Sequence, residues 1–337
     1  MAQIEADELD IAIVDAVRTA PRGSWRELGL ALGVDPSTVS RRWTRMESSG
    51  VAWVTAHPSG NATPVCAMVE IDCEPGRSIE VARGLAPDRE AATIRVTSGA
   101  RDVMVLVQAA TFEALSTYLL GLVPRVPGIA CVRSHLLTHS ALEASHWRDR
   151  ALNPEQQRRL VGRSATGSAV TDALDEVDRR IVAVLHENGR MQLERIAERV
   201  DVGPLAVRRR LTRLQSGGLV TLRCDVAHEL SGRSVWAMYF GSLDAQDLGS
   251  AAERLRVLPG IRTVSIAAGP FNVIVDAWLR SAPEVHDFER RLGQELPEMR
   301  ILDRIVVLQM TKLLGRVLDA DGRAVGIVPL AADMAQE

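Results

Sequence analysis

Residues 201–220 read DVGPLAVRRRLTRLQSGGLV. From Pro204 to Gly218 the stretch carries Arg208, Arg209, Arg210 and Arg213 and no acidic residue, in a chain of 337 residues with a formal net charge of −3. The basic charge is therefore local. Pro204 suits a first helical position, where the N–H it lacks would go unpaired anyway, and Gly217-Gly218 suits a helix end. Val207, Leu211 and Leu214 recur at i, i+4 and i+7 and make one apolar face, leaving the arginines on the rest of the surface. Such a helix can pack on its own domain with one side and lie against nucleic acid with the other.

The chain carries this pattern twice. A shift of 168 residues aligns 10–51 with 178–219 without a gap, and 13 of the 42 positions are identical. Chance gives about two or three, so the repeat reflects duplication. The identities include Val34/Val202, Pro36/Pro204, Val39/Val207, Arg41/Arg209, Arg42/Arg210, Arg45/Arg213 and Gly50/Gly218. Each copy has an amphipathic helix (10–18; 178–187), a short helix (24–32; 192–200), a turn and the basic helix. That order is a helix-turn-helix with a supporting helix in front.

Both segments resemble the DNA-binding domain of the Lrp/AsnC (feast/famine) transcriptional regulators. The resemblance is carried by VDRRIVAVLHENGRMQLERIAERVDVGPLAVRRRLTRLQSGGLV at 177–220 and, more loosely, by LDIAIVDAVRTAPRGSWRELGLALGVDPSTVSRRWTRMESSGVA at 9–52. The first copy departs at Pro21 and Gly23, which flank Arg22 where the second has Gly189-Arg190, and at Trp25 and Trp43, which replace Leu193 and Leu211.

After each basic segment comes a second module. Its pattern is strand 65–71, helix 77–85, strand 93–97, strand 103–108, helix 112–123 and strand 129–137, repeated at 235–240, 245–257, 261–267, 273–278, 284–296 and 301–310. This βαββαβ order predicts a ferredoxin-like sandwich. In the resembled family that module binds the effector and oligomerises, and the resemblance implies both roles here. The expected fold class is thus mixed α/β (α+β): two repeats of a three-helix helix-turn-helix domain followed by a ferredoxin-like βαββαβ effector domain. The expected divisions are 1–56, 62–138, a linker 139–174, 175–226, 232–312 and a tail 313–337. The linker offers a short helix over 141–150 bearing Trp147, a helix start at Asn153-Pro154, and a Gly/Ser/Ala/Thr-rich run 162–171. In the tail, Asp321-Gly322 marks a hairpin turn.

Composition fits this picture. Hydrophobic residues make up 46% and charged residues 25%, enough for several cores. The N-terminal MAQIEADELD lacks an apolar segment, and no run approaches a membrane span, so a soluble cytoplasmic, nucleoid-associated protein is expected. Cys66, Cys73, Cys131 and Cys224 form no CxxC pair and read as buried reduced thiols. His135 and His139 flank a strand end, where a spacing of four does not put them on one face, so no metal is expected and no cofactor is implied.

Residues early in a recognition helix reach base edges, which selects Ser37/Leu205, Thr38/Ala206 and Arg41/Arg209 for sequence reading. Arg45/Arg213 and Arg208 are placed to hold phosphates. Arg42/Arg210 sit beside the apolar stripe and have two readings, a stem packed with its head bridging helices or a backbone contact. Because the outward residues differ between copies, two dissimilar half-sites are expected. Trp25 and Trp43 are core residues, since Leu193 and Leu211 hold the equivalent places, whereas Trp53 aligns with Thr221 and is expected to be exposed. The turns at 97–102 and 268–272 read as hairpins. The family resemblance adds an effector role, because its Gly-x-x-Asp motif near an amino-acid pocket matches Gly99 and Asp102. Gly269 and Asn272 match it only in part, which leaves the second pocket altered, differently specific or empty.

The expected function is a sequence-specific transcriptional regulator that binds double-stranded DNA, is modulated by an amino acid or related metabolite, forms homo-oligomers through its effector domains and is not an enzyme. Two alternatives stay open. One is an enzyme resembling the haem-pathway sirohaem decarboxylases, which share the two-module plan but use a histidine/tyrosine-rich pocket, whereas this chain has two tyrosines, Tyr118 and Tyr239. The other is an architectural DNA-binding protein without an effector.

Overall fold

The computed structural model describes residues 6–122, 126–142, 151–161 and 174–331. The expected helix around Trp147 and the run 162–171 lie outside them, and Ala141 and Leu142 end a strand instead. In chain order the first copy contains α1 (Glu8–Thr19), α2 (Trp25–Leu32), α3 (Pro36–Ser48), β1 (Ala52–Pro58), β2 (Val65–Cys73), α4 (Ser78–Leu85), β3 (Ala91–Thr97), β4 (Val103–Ala109), α5 (Phe112–Thr117) and β5 (Ile129–Leu142). After α6 (Pro154–Val161), the second copy contains α7 (Glu176–Glu187), α8 (Leu193–Val200), α9 (Pro204–Ser216), β6 (Val220–Val226), α10 (His228–Ser231), β7 (Val235–Ser242), α11 (Leu248–Leu255), β8 (Ile261–Ala268), β9 (Val273–Leu279), α12 (Glu284–Glu295) and β10 (Arg300–Leu313). The short strands β11 (Arg316–Leu318) and β12 (Ala324–Ile327) follow. No helix among the described residues is long and apolar enough to cross a membrane.

The chain forms two compact units, and each draws on both copies. One comprises Met1–Pro64, Arg148–Ser231 and Arg323–Glu337, the other Val65–Trp147 and Gly232–Gly322.

In the helical unit, local sequence sets the helix starts. Asp7 and Asp10 form a capping box on α1, and Asp175 and Asp178 form the same box on α7, satisfying N–H groups that a helix start leaves unpaired. Asp35 caps α3, whereas Gly203 precedes α9 with no side-chain cap. The two copies meet through β1 and β6, which pair antiparallel with Ala52 opposite Val226 and Pro58 opposite Val220. Thr55 lies opposite Arg223, its own counterpart one repeat on, so a local pseudo-two-fold axis passes between them. Ala56 of β1 is buried in the core of the second copy with Ile181, Leu185, Ile196, Val207, Leu211 and Leu214. This ribbon also corrects the expectation for Trp53, which is 3% exposed. Its strand pairs with the other copy, a partner invisible to an alignment of Trp53 with Thr221. Trp43 is fully buried and Trp25 half-buried.

The helix start at Asn153-Pro154 is observed as α6. Asn153 Oδ1 accepts from the Gln156 N–H, and Asp15 of α1 accepts from the N–H groups of Ala151 and Leu152. α6 packs on α1 and α2 and buries Leu152 and Leu160.

In the strand unit both halves run strand, helix, strand, strand, helix, strand. The strand order is β11-β10-β3-β4-β2-β5-β8-β9-β7, and β7 returns to pair with β10. Eight antiparallel strands therefore close a barrel, where the sequence reading expected two ferredoxin-like sandwiches. The closure comes from edge strands: β5 pairs with β8 and β10 with β3, so each half satisfies the backbone edge that the other would leave bare. The last strand runs past Met310 to Leu313 and turns back through Leu314 and Gly315, both at positive φ, as a two-residue hairpin into β11.

Helices cover the outside of the barrel. Ala67, Val69 and Ile71 pack with Val81, Leu85, Leu115 and Tyr118, and Ala237 and Tyr239 pack with Leu255, Phe288 and Leu292. The alternate strand residues fill the lumen, among them Met68, Glu70, Arg95, Met104, Trp236, Met238, Asp276 and Trp278, all buried.

Candidate nucleic-acid interface

α3 and α9 present the same construction. Val39, Trp43 and Met46 bury one face of α3, and Val207, Leu211 and Leu214 bury that of α9. Opposite them Ser37, Arg41, Thr44 and Arg45 are exposed on α3, as are Leu205, Arg208, Arg209 and Thr212 on α9. Thr38 and Ala206 lie half-buried at the margin.

Two arginines of each helix are tied to the helix in front. Arg42 Nη1 donates to Asp7 at 2.7 Å and to Asp10 at 3.0 Å, and Arg45 Nη2 donates to Asp10 at 2.7 Å. The second copy repeats this: Arg210 reaches Asp175 and Asp178, and Arg213 reaches Asp178. Asp10 and Asp178 are completely buried. The hydrogen bonds that Asp7 and Asp10 accept push the Arg42 guanidinium above its ordinary value, and those that Asp175 and Asp178 accept do the same for Arg210. Arg42 in turn holds Asp7 below the usual carboxylate range. Arg42 and Arg210 thus bridge helices. Arg45 and Arg213, read from sequence as phosphate ligands, sit in the site already paired with an acid. Arg41, Arg208 and Arg209 form no ion pair among the described residues and face outward.

The helix starts differ between copies. Asp35 accepts from both the N–H and the Oγ–H of Ser37, at 2.8 and 2.5 Å. In α9 the corresponding place holds Gly203, and Leu205 stands 79% exposed.

The residues carrying the expected effector motif lie in the strand unit. Asp102 accepts from the Cys73 N–H at 2.8 Å and lies 3.4 Å from the Ser78 hydroxyl. Asn272, its counterpart, accepts from the Leu243 N–H and donates to the Leu243 carbonyl. Both side chains stitch one strand start to a neighbouring strand end. Gly99, at φ +93°, and Gly269 are exposed in their turns. A Cβ on Gly269 would lie 2.7 Å from His135 Nδ1.

Sequence reading missed a charged cluster in the barrel. Glu70 takes Arg101 Nε at 3.0 Å, His135 Nε2 at 3.2 Å and Arg133 Nε at 3.4 Å, and Arg101 continues to Asp303 at 2.8 Å. Burial pushes the Glu70 carboxyl up, but His135 and Arg101 outweigh it and hold the group below its ordinary value. Farther along, Trp236 Nε1 and the Thr263 hydroxyl donate to Asp276, and Arg95 lies 3.7 Å from it. Arg262 stacks 3.8 Å from the Trp278 ring. Polar residues alternating along a strand read as a solvated face until the sheet is known to close.

The cysteines differ from expectation. No disulfide joins them, but of the four Cys224 alone is buried, and Cys131 is exposed. Partial burial, with Asp102 and Asp72 nearby, pushes the Cys73 thiol up to about 11. Tyr118 donates to Asp88 and Tyr239 to the Val285 carbonyl, both on the helix side of the barrel wall.

Comparison with known proteins assigns this architecture. The AsnC-type helix-turn-helix domain matches residues 7–47 and again 174–215. An HTH-type transcriptional regulator of Pyrococcus furiosus is 30% identical over 135 residues, spanning 39% of this chain and 91% of that protein. The chain belongs to the Lrp/AsnC family. It is a tandem-duplicated member, since one relative's length corresponds to one copy. The HTH-type transcriptional regulator AldR of Mycolicibacterium smegmatis is 29% identical over 119 residues, 34% of this chain and 70% of AldR. Among solved structures, the siroheme decarboxylase NirDL covers 93% of this chain and 94% of its own with a TM-score of 0.58 and 8% identity. That likeness concerns the fold alone.

Proposed function

We propose that this Lrp/AsnC protein is a sequence-specific transcriptional regulator that binds duplex DNA with α3 and α9, acts at the nucleoid and has no enzymatic role. The observation that carries the reading is the repeated arrangement of an outward arginine without an ion pair among the described residues, Arg41 or Arg209, on a helix whose other face is buried and two of whose arginines are tied to the first helix of the same copy, with Arg208 adding a second outward charge on α9. Exposed arginines on a fixed helix can enter a major groove without paying a large ordering cost. Each half of the strand unit is read as a ferredoxin-like module. An amino acid or related metabolite, acting near the turns that hold Gly99 and Gly269, would alter assembly or the presentation of the helices.

The test is selection of bound fragments from random duplexes by the full chain, followed by titration of Arg41→Glu/Arg209→Glu. The double variant should keep its melting temperature and lose binding at least tenfold, and wild-type affinity should fall steeply with salt. Unchanged binding by the variant sinks the reading. Flat thermal-shift and DNA-binding responses across amino acids would remove its effector part.

The likeness to a siroheme decarboxylase keeps one enzymatic comparison in view. The lumen here is filled by buried Arg95, Asp276, Trp236 and Trp278, which supports a packed barrel rather than a tetrapyrrole pocket. After incubation with sirohaem and removal of the unbound tetrapyrrole by desalting, the protein should retain no absorption band near roughly 400 nm, where such macrocycles absorb strongly.

A further inference from the structure

The two copies share their bracing residues and differ where they face outward. Asp7/Asp175, Asp10/Asp178, Arg42/Arg210 and Arg45/Arg213 are identical and make the same contacts, whereas Ser37/Leu205 and Thr38/Ala206 are not. The divergence is chemical as well as formal. The Ser37 hydroxyl spends its only proton on Asp35, so toward a base it offers lone pairs alone. An acceptor in the major groove meets the exocyclic amino group of adenine or cytosine. Leu205 offers no polar atom and stands 79% exposed at the second position of α9. The apolar group that a base edge presents in the major groove is the C5-methyl of thymine.

Charge adds a direction. α3 is capped by the acid Asp35 and carries one outward arginine without an ion pair among the described residues, Arg41, while α9 carries two, Arg208 and Arg209, and has no acid at its start. The second copy is therefore the stronger phosphate anchor.

We propose that Leu205 is a specificity-determining residue that reads a thymine methyl under the second copy, while Ser37 accepts from a base amino group under the first, so that the chain binds an asymmetric site in one orientation. The proposal rests on the DNA-binding reading above and goes further by naming what each head recognises.

The experiment uses the full chain and a duplex selected by it. Each thymine is replaced in turn by deoxyuridine, which removes only the methyl. Wild type should lose about fivefold to tenfold affinity at a thymine in one half-site and nothing in the other. Leu205→Ala should bind the thymine duplex that much more weakly and become indifferent to the replacement. Ser37→Ala should keep the uridine response and lose base preference in the opposite half. Uniform indifference to uridine by a wild-type protein that binds its selected duplex tightly overturns the proposal and leaves the DNA-binding reading standing. A response retained in full by Leu205→Ala also overturns it. Failure to select any duplex overturns both.

Discussion

Arg22 and Arg190, equivalent residues of the two copies, clasp each other's domains. Arg22 donates to the carbonyl oxygens of Gly189 and Met191 at 2.7 and 2.9 Å, and Arg190 donates to those of Pro21 and Gly23. The clasp is not symmetric, because Arg190 also stacks 3.9 Å from the Trp25 ring, where the other copy has Leu193. Burial pushes the Arg190 guanidinium down to about 10, with the charge of Arg22 adding to the effect. Arg190→Ala should therefore destabilise the helical unit by about 2–4 kcal/mol, through unpaired carbonyls and a lost cation–π contact, and Arg22→Ala by less. Urea unfolding ranks the two. In a Trp25→Leu background the difference should shrink, and an unchanged ranking there would remove the stack from the account.

Asp178 is buried with both oxygens on arginines of α9 and its capping role on α7. Replacing it with Asn keeps the shape but loses the charge that holds Arg210 and Arg213. Asp178→Asn should cost about 1–3 kcal/mol, and Asp10→Asn a similar amount in the first copy. Chemical denaturation of each single variant and of the pair should give additive losses, since the two networks belong to separate copies. A neutral substitution would mean that the arginines find water instead.

Lys312 is fully buried on β10, and its ammonium donates to the Asp88 carbonyl at 2.7 Å. Burial pushes its pKa down from 10.5 to about 8, against an upward pull from Asp88 and Glu90. Between those values the unfolded chain binds more protons than the folded one, so this group makes stability rise with pH across roughly 8 to 10.5. Cys73 works oppositely from its ordinary 9.0 up to about 11, because its folded thiol keeps a proton that the unfolded chain releases. The comparison with Lys312→Met isolates the lysine. The variant should lose ground to wild type as pH rises from 7 to 10, by an amount on the order of 1–2 kcal/mol. Parallel melting curves at every pH would show that the ammonium is hydrated.

How far the sequence speaks can be judged from these residues. The helix starts at Pro36, Asn153 and Pro204 were legible because proline and capping residues act on their immediate neighbours. The outward position of Arg41 and Arg209 followed from the apolar stripe. The partners of Arg45 and Arg213 did not, because each acid lies 35 residues away on a helix whose packing had to be known first. Trp53 and Glu70 failed for a shared reason. Trp53 sits on a strand whose edge pairs with the other copy and Glu70 on a strand whose second face lines a closed barrel, and a pattern within one strand carries no information about either.

Divergence of the copies also fixes which halves pair. Arg95 lies 3.7 Å from Asp276, and Arg101 meets Asp303 and stacks 4.5 Å from Phe240, so the first half supplies cations to acids of the second. A second half paired with itself would offer Ser265 and Phe271 in those places, leaving buried Asp276 without its arginine. A first half paired with itself would bring two buried arginine sets together with no aromatic to receive them. Split at residue 168 and expressed separately, each half should associate with itself weakly through the bare edges of its sheet, and mixing should yield a one-to-one complex that melts higher than either alone. Size-exclusion chromatography with light scattering and thermal melting reads the outcome. A half that stays monomeric and unfolds cooperatively by itself would show that the barrel seams are not what holds these strands together.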